Sequence, residues 1–346
     1  MNLTRIPVFF VALCLLVGSA PTTSAQQVQI PASGAGGDFS GRVDIGGRSL
    51  YLECRGSGSP TVILENGYRG SARYWIEDYL QPGAPRTMVL PGVASFTRVC
   101  AYDRPGTIAT STVDDNADES LPPAPSDEQV LPSRSDPVSQ PRTVSDTVDD
   151  LHALLGAAGV PGPFVMVGQS LGGLIVRLYT ANYPDDVVGL VQVDSAAEQL
   201  ESQFTPAQWQ DLVKLNLDAG SDTVQTIPGY GPLETIGYAS GFPAMRQAAA
   251  ASPLRPMPLA ILSHGLPFAV TERQLGFAPA IFEQASLATY RELAALAPNG
   301  RLFIANESGH DIHQDQPAIV TEAIRQVVEG VRDPETWNTM TSCCAQ

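Results

Sequence analysis

Three stretches of this 346-residue chain hold residue types suited to nucleophilic chemistry. Gly168-Gln169-Ser170-Leu171-Gly172 has the G-x-S-x-G pattern, a turn so sharp that its flanking residues must be small, with the serine hydroxyl lifted clear at its apex. A serine hydroxyl is a weak nucleophile and needs a base within hydrogen-bond reach. His310, in Glu307-Ser308-Gly309-His310-Asp311, is the candidate, because it lies just past a late strand whose loop returns to the elbow. The other histidines fit less well: His152 lies in a helical run, His264 ends a strand well before that loop, and His313 reads as a structural hydrogen-bonding group. A carboxylate must orient the imidazole. Asp194, at the end of an apolar strand, is the first choice and Glu272 the alternative acid. Acyl transfer also needs donors for the developing oxyanion. The elbow supplies the N–H of Leu171. Asn66-Gly67-Tyr68 is placed to supply that of Tyr68, with Gly67 permitting the backbone geometry. Each residue also has a plainer reading: an idle turn serine, a surface histidine, an aspartate capping a helix, an ordinary loop glycine.

These residues need elements that place them. Phe164 to Val167 is a short apolar strand running into the elbow, and Gly173 to Asn182 reads as the helix leaving it. Thr61 to Leu64, Arg98 to Tyr102, Val187 to Val193, Leu259 to Leu262 and Leu302 to Ala305 are further strands. Gly41 to Ile45 and Ser49 to Cys54 flank a Gly46-Gly47 hairpin turn. Helical stretches are expected around Ser71 to Leu80, Val144 to Leu155, Pro206 to Leu217, Phe242 to Ala251 and Pro317 to Val331. Strands alternating with helices mean an α/β fold around a mainly parallel sheet. Residues 197–256 lack good strand candidates and read as a helical cap. Residues 109–142, rich in Pro, Ser and Asp, read as an acidic irregular insertion that does not build the catalytic centre.

With 36 acidic against 20 basic residues, a single lysine (Lys214) and a formal charge of −16, the chain is a poor partner for nucleic-acid phosphates. The first 25 residues have the order of a secretory signal: Arg5, the apolar run Ile6 to Val17, then small residues to Ala25. That run is short for a bilayer-spanning helix. Cleavage near Ala25 would leave a secreted or periplasmic protein with no stable membrane anchor, a loose lead-in over 26–40, a main domain over 41–331 and a tail over 332–346. Four cysteines would remain, Cys54, Cys100, Cys343 and Cys344, and in an oxidising compartment an even number favours disulfides. No Cys/His cluster suggests a metal site.

The motifs ENGYRG, YDRPG, VGQSLGG, LVQVDSA and SGHDIHQDQP, in that order, resemble the α/β-hydrolase superfamily in its esterase, lipase and haloperoxidase-like branch. The resemblance implies an eight-stranded sheet of order 1-2-4-3-5-6-7-8, with Ser170 as nucleophile, His310 as base, and Tyr68 and Leu171 at the oxyanion positions. Two departures stand out. Asn66-Gly67 replaces the family's usual His-Gly. The usual aspartate after the seventh strand is absent, so Asp194, after the sixth, matches a variant placement. The implied activity is hydrolysis of carboxylic esters without a cofactor, on a small-molecule, ester-like substrate. Amide, lactone or peptide bonds on the same triad, and a non-catalytic ligand-binding protein of the same fold, are the alternatives. The strand order also makes the second and fourth strands neighbours, which implies a Cys54–Cys100 disulfide.

Overall fold

An alternating hairpin and six short, mostly apolar runs pair side by side into one eight-stranded sheet: β1 (Phe39–Asp44), β2 (Ser49–Arg55), β3 (Thr61–Glu65), β4 (Val99–Asp103), β5 (Phe164–Gln169), β6 (Val187–Val193), β7 (Leu259–His264) and β8 (Arg301–Ala305). This computed structural model describes residues 37–110, 130–214 and 224–339. The order is β1-β2-β4-β3-β5-β6-β7-β8. Only β2 opposes its neighbours; every other neighbouring pair is parallel. β3, β4 and β5 are buried at every position, as strands covered on both faces must be.

The helices are α1 (Val89–Ala94), α2 (Val144–Ala157), α3 (Leu171–Asn182), α4 (Pro206–Leu212), α5 (Tyr238–Ala251), α6 (Glu272–Leu275), α7 (Pro279–Ala294), α8 (Ile312–Asp315), α9 (Pro317–Arg332) and α10 (Pro334–Thr339). Alternate strand residues serve opposite faces. Ile63 and Met166 pack toward α2, α3, α5 and α7, whereas Val62, Leu64, Val165 and Val167 pack toward α1 and α9. On α9 the buried positions Val320, Ala323, Ile324, Val327 and Val328 form one stripe of helical spacing. The sheet is thus sandwiched between two helical layers, and its carboxyl edge is left to carry the loops.

Several expectations change on folding. Residues 71–80 form only a 3₁₀ turn, Ala72–Trp75, because the Tyr79 amide bonds the Gln314 side chain (3.0 Å) rather than a helical carbonyl. Residues 197–256 divide between two environments. α5 lies against α3 in the main core, while Phe204 and Leu212 join Leu275 and Phe277, from beyond β7, in a separate small cluster. The insertion divides too. Residues 111–129 lie outside the described residues, but Ile108–Ala109 pairs with Leu131–Pro132, and Ser133 and Ser135 are buried. Arg134 reaches the buried Asp103 carboxylate (Nε to Oδ2, 2.7 Å), so the end of the insertion is anchored to the sheet instead of being irregular throughout. The expected tail contributes α10, whose Trp337 enters the core. Residues 1–36, which include the expected signal, and Cys343 and Cys344 lie outside the described residues. Cys54 and Cys100 are directly opposed across β2 and β4 and form a disulfide.

Candidate active site

Ser170 sits where β5 hands over to α3, at φ 50°, a conformation that non-glycine residues rarely adopt. Packing enforces it. A Cβ on Gly168 would collide with the backbone of Gly172 and Gly173, and one on Gly172 with the carbonyls of Glu65 and Asn66. The spacing of small residues is therefore required by the crossing of β3, β5 and α3. Leu171 opens α3, so its N–H belongs to the first turn, where amides lack intrahelical acceptors.

The loop after β3 passes over the elbow. A Cβ on Gly67 would displace the end of the Gln169 side chain and stand 3.1 Å from Ser170 Cβ, so glycine lets the loop lie close over the elbow. Asn66 folds this loop on itself, accepting from the Gly67 amide (3.0 Å) and donating to the Ser71 carbonyl (2.6 Å). Arg104, fully buried, donates to the carbonyls of Asn66 (2.7 Å) and Gly67 (2.5 Å). Its charge is met by Glu65 and Glu234. Glu234 also accepts from the Arg69 amide (2.7 Å), and Arg69 is itself at φ 60°. The segment carrying Tyr68 is thus held from both sides. Sequence reasoning did not single out Glu234; it lies 130 residues from Arg104, and no local pattern marks the pair.

His310 meets Asp194 at 2.6 Å, Nδ1 to Oδ2. With Nδ1–H donated to the carboxylate, Nε2 carries the lone pair a base needs. The histidine loop is fixed at both ends. Asp315 accepts from the Gly309 amide and the Ser308 hydroxyl (2.9 Å each), and Gln169, inside the elbow, reaches Asp311 (3.2 Å). The His310 ring rests against Phe268, with centroids 5.2 Å apart. Asp194 is fully buried at φ 45°. Arg69, Ser170 and Asp194 are three of the four non-glycine residues with positive φ among the described residues, and backbone strain of this kind gathers at functional sites. Glu272 lies exposed at the start of α6, so among the described residues the carboxylate on His310 Nδ1 is that of Asp194.

Two histidines stand differently from the sequence reading. His313, expected as a hydrogen-bonding group, is buried against Trp75, and neither ring nitrogen has a hydrogen-bond partner among the described residues. Burial and the charge of neighbouring His310 push its pKa down to about 3, which keeps it neutral. His264, set aside as remote, is at the site. Its Nδ1 lies 2.6 Å from Asp194 Oδ1, its backbone amide donates to the same oxygen (3.0 Å), and its Nε2 lies 2.8 Å from Glu283 Oε2. Burial and the nearby Asp194 charge push the Tyr290 hydroxyl well above its usual range. Burial opposes charge on Asp194, but hydrogen bonds from His264 and His310, with their attraction, hold its carboxyl well below the usual range. Glu283 and Tyr290 share a face of α7, seven residues apart, a helix the sequence reading did not identify. The available signal was His264 itself, at the end of the strand where the family's usual acid is missing.

Residues 62–323 match the family model described as the Alpha/beta hydrolase family. An AB hydrolase superfamily protein of Gibberella zeae is 21% identical over 336 residues, covering 82% of this chain and 92% of that one. Among solved structures, the DBJA delta mutant superposes with a TM-score of 0.53 at 16% identity, over 85% of this chain and 99% of the other. Mouse alpha/beta hydrolase domain-containing protein 10 superposes at 0.51 and 15% identity, over 85% and 99%. The chain spans 19% and 26% of the length of curated relatives from Hormonema carpetanum and Schizosaccharomyces pombe, each 27% identical over the matched part.

Proposed function

This chain belongs to the alpha/beta hydrolase family, and from that premise we propose that it is an exported serine hydrolase that cleaves carboxylic esters. The observation that carries the reading is the 2.6 Å contact of His310 Nδ1 with buried Asp194, whose chain neighbour Val193 accepts from the amide of Ser170 (3.1 Å), the residue held at φ 50° on the elbow. Ser170 Oγ attacks the ester carbonyl carbon while His310 Nε2 takes its proton. The tetrahedral oxyanion is received by the amides of Tyr68 and Leu171. Its collapse breaks the bond to the alcohol oxygen, which leaves with the proton from His310. Water then attacks the acyl-enzyme with the same base, releasing the acid and restoring Ser170. Asp194 keeps the imidazole in the tautomer that leaves Nε2 unprotonated. The order of residues 1–25 and the Cys54–Cys100 disulfide support an oxidising compartment, outside the cell or in a periplasm.

A fluorophosphonate probe, which captures an activated serine, tests this directly. Native protein is expected to label and to hydrolyse members of a panel of ester chain lengths, and Ser170→Ala to do neither. A native protein that neither labels nor hydrolyses would be a binding protein of this fold, and the proposal would fail.

A further inference from the structure

We infer that His264 is a positioning residue of the catalytic centre: charged and clamped between Asp194 and Glu283, it competes with His310 for the Asp194 carboxylate and so sets the basicity of His310. The inference rests on the hydrolase reading above for its kinetic consequence, but the charge of His264 rests on its two carboxylate partners and is independent of activity.

Both ring nitrogens of His264 face carboxylate oxygens, at 2.6 Å and 2.8 Å. A neutral imidazole has one N–H and would oppose a lone pair to a carboxylate at its other nitrogen; an imidazolium donates to both. Glu283 Oε1 takes the Phe268 amide (2.9 Å), which fixes the carboxyl group so that Oε2 faces His264. Burial works against the charge on His264, yet its bonds and attraction to Asp194 and Glu283 outweigh it and push the pKa up to about 10. The groups facing it are Asp194 from the end of β6, Glu283 and Tyr290 from α7, and His310 beyond the Phe268 ring. That ring touches both imidazoles, with centroids 4.6 Å from His264 and 5.2 Å from His310, as an apolar spacer.

Two imidazoles therefore share one carboxylate. His264 supplies a permanent positive charge there, and Glu283 balances it. A proton arriving on His310 meets an Asp194 whose charge is already partly engaged, so the base becomes protonated at lower pH than it would facing the carboxylate alone. The arrangement extends the use of His310 as a base to lower pH than a lone carboxylate partner would allow. The acid that the family usually places after β7 is here replaced by a cation that modulates the acid after β6.

His264→Gln retains a donor for Asp194 and removes the charge. The acid limb of the kcat/KM profile should then move to higher pH by about one unit, with fluorophosphonate labelling retained. A merely structural role would lower kcat or the melting temperature and leave the limb in place. In native protein, ¹⁵N-histidine NMR should show His264 as an imidazolium with both nitrogens protonated from pH 6 to 8; in Glu283→Gln its titration midpoint should fall. The NMR reading needs no activity and no variant, so it stands if His264→Gln does not fold or if no ester is cleaved. An unmoved acid limb in folded His264→Gln, or a native His264 titrating near pH 6.5, overturns the inference. Loss of labelling in native protein would instead overturn the hydrolase reading.

Discussion

On Asp194 two imidazoles and a backbone amide converge, and the chain bends through φ 45° to bring the carboxylate there. Burying a carboxylate is costly unless it is paired and fully hydrogen-bonded, and this one is both. Asp194→Asn keeps the shape but can no longer demand N–H from His310 Nδ1, so the tautomer is lost. Turnover should fall by about 10⁴. The same change strips His264 of one counter-charge, so the melting temperature should fall as well. Glu272→Gln, at an exposed helix start, should alter neither. Steady-state kinetics and thermal melts of the two variants decide the matter, and the reverse pattern would move the acid to Glu272.

Among the elements, the most informative is the strap that returns from residue 130 to the sheet. Thr110 and Val130 flank the paired segments Ile108–Ala109 and Leu131–Pro132, so the chain enters and leaves this insertion at nearly one point. Replacing residues 111–129 with a short Gly-Ser linker should preserve soluble protein and activity on a small ester. Cutting through to 135 is a different matter. It removes Arg134 from Asp103, the Ser133 bond to the Arg104 carbonyl (2.9 Å) and the Ser135 bond to the Asp103 carbonyl (2.6 Å). Asp103 in turn fixes Ser71 and the Ala72 amide beside the oxyanion loop. Arg134→Ala should therefore cost about 3 kcal/mol, because it leaves a buried carboxylate without its cation. Urea unfolding of the point variant and the two deletions distinguishes an anchored strap from a dispensable loop.

Over the whole molecule, the disulfide joins the antiparallel end of the sheet to the strand that leads into Asp103 and Arg104. Its loop spans 46 residues, and cross-linking a loop of that length removes chain entropy on the order of 4 kcal/mol from the unfolded state. Non-reducing peptide mapping should recover the Cys54 and Cys100 peptides linked. Reduction should lower the melting temperature without changing labelling of Ser170, which follows β5, two strands away from β4. Unlinked peptides would remove this cross-link from the fold and with it one support for an oxidising compartment.

Ser170, Asp194 and His310 stood out in the sequence because each follows a short apolar run. In a parallel sheet buried on both faces, strand ends gather at one edge, so fold class and candidate triad were legible together. The elbow was the clearest signal, since close crossing of β3, β5 and α3 restricts its flanking positions to glycine, a constraint written locally. What remained hidden was whatever depends on partners distant in the chain. Glu234 meets Arg104, His264 meets Glu283, and Arg134 meets Asp103 through tertiary packing, and a lone polar residue in a polar stretch carries no mark of that. α7 was missed for a related reason: its Ala-rich, weakly patterned sequence packs only part of its surface against the sheet and partly faces the small cluster around Phe204. The sequence by itself determined the sheet, the elbow and the set of residues able to do chemistry. Only the tertiary structure decided that Asp194 serves two histidines, because that is a matter of which loops reach the same buried point.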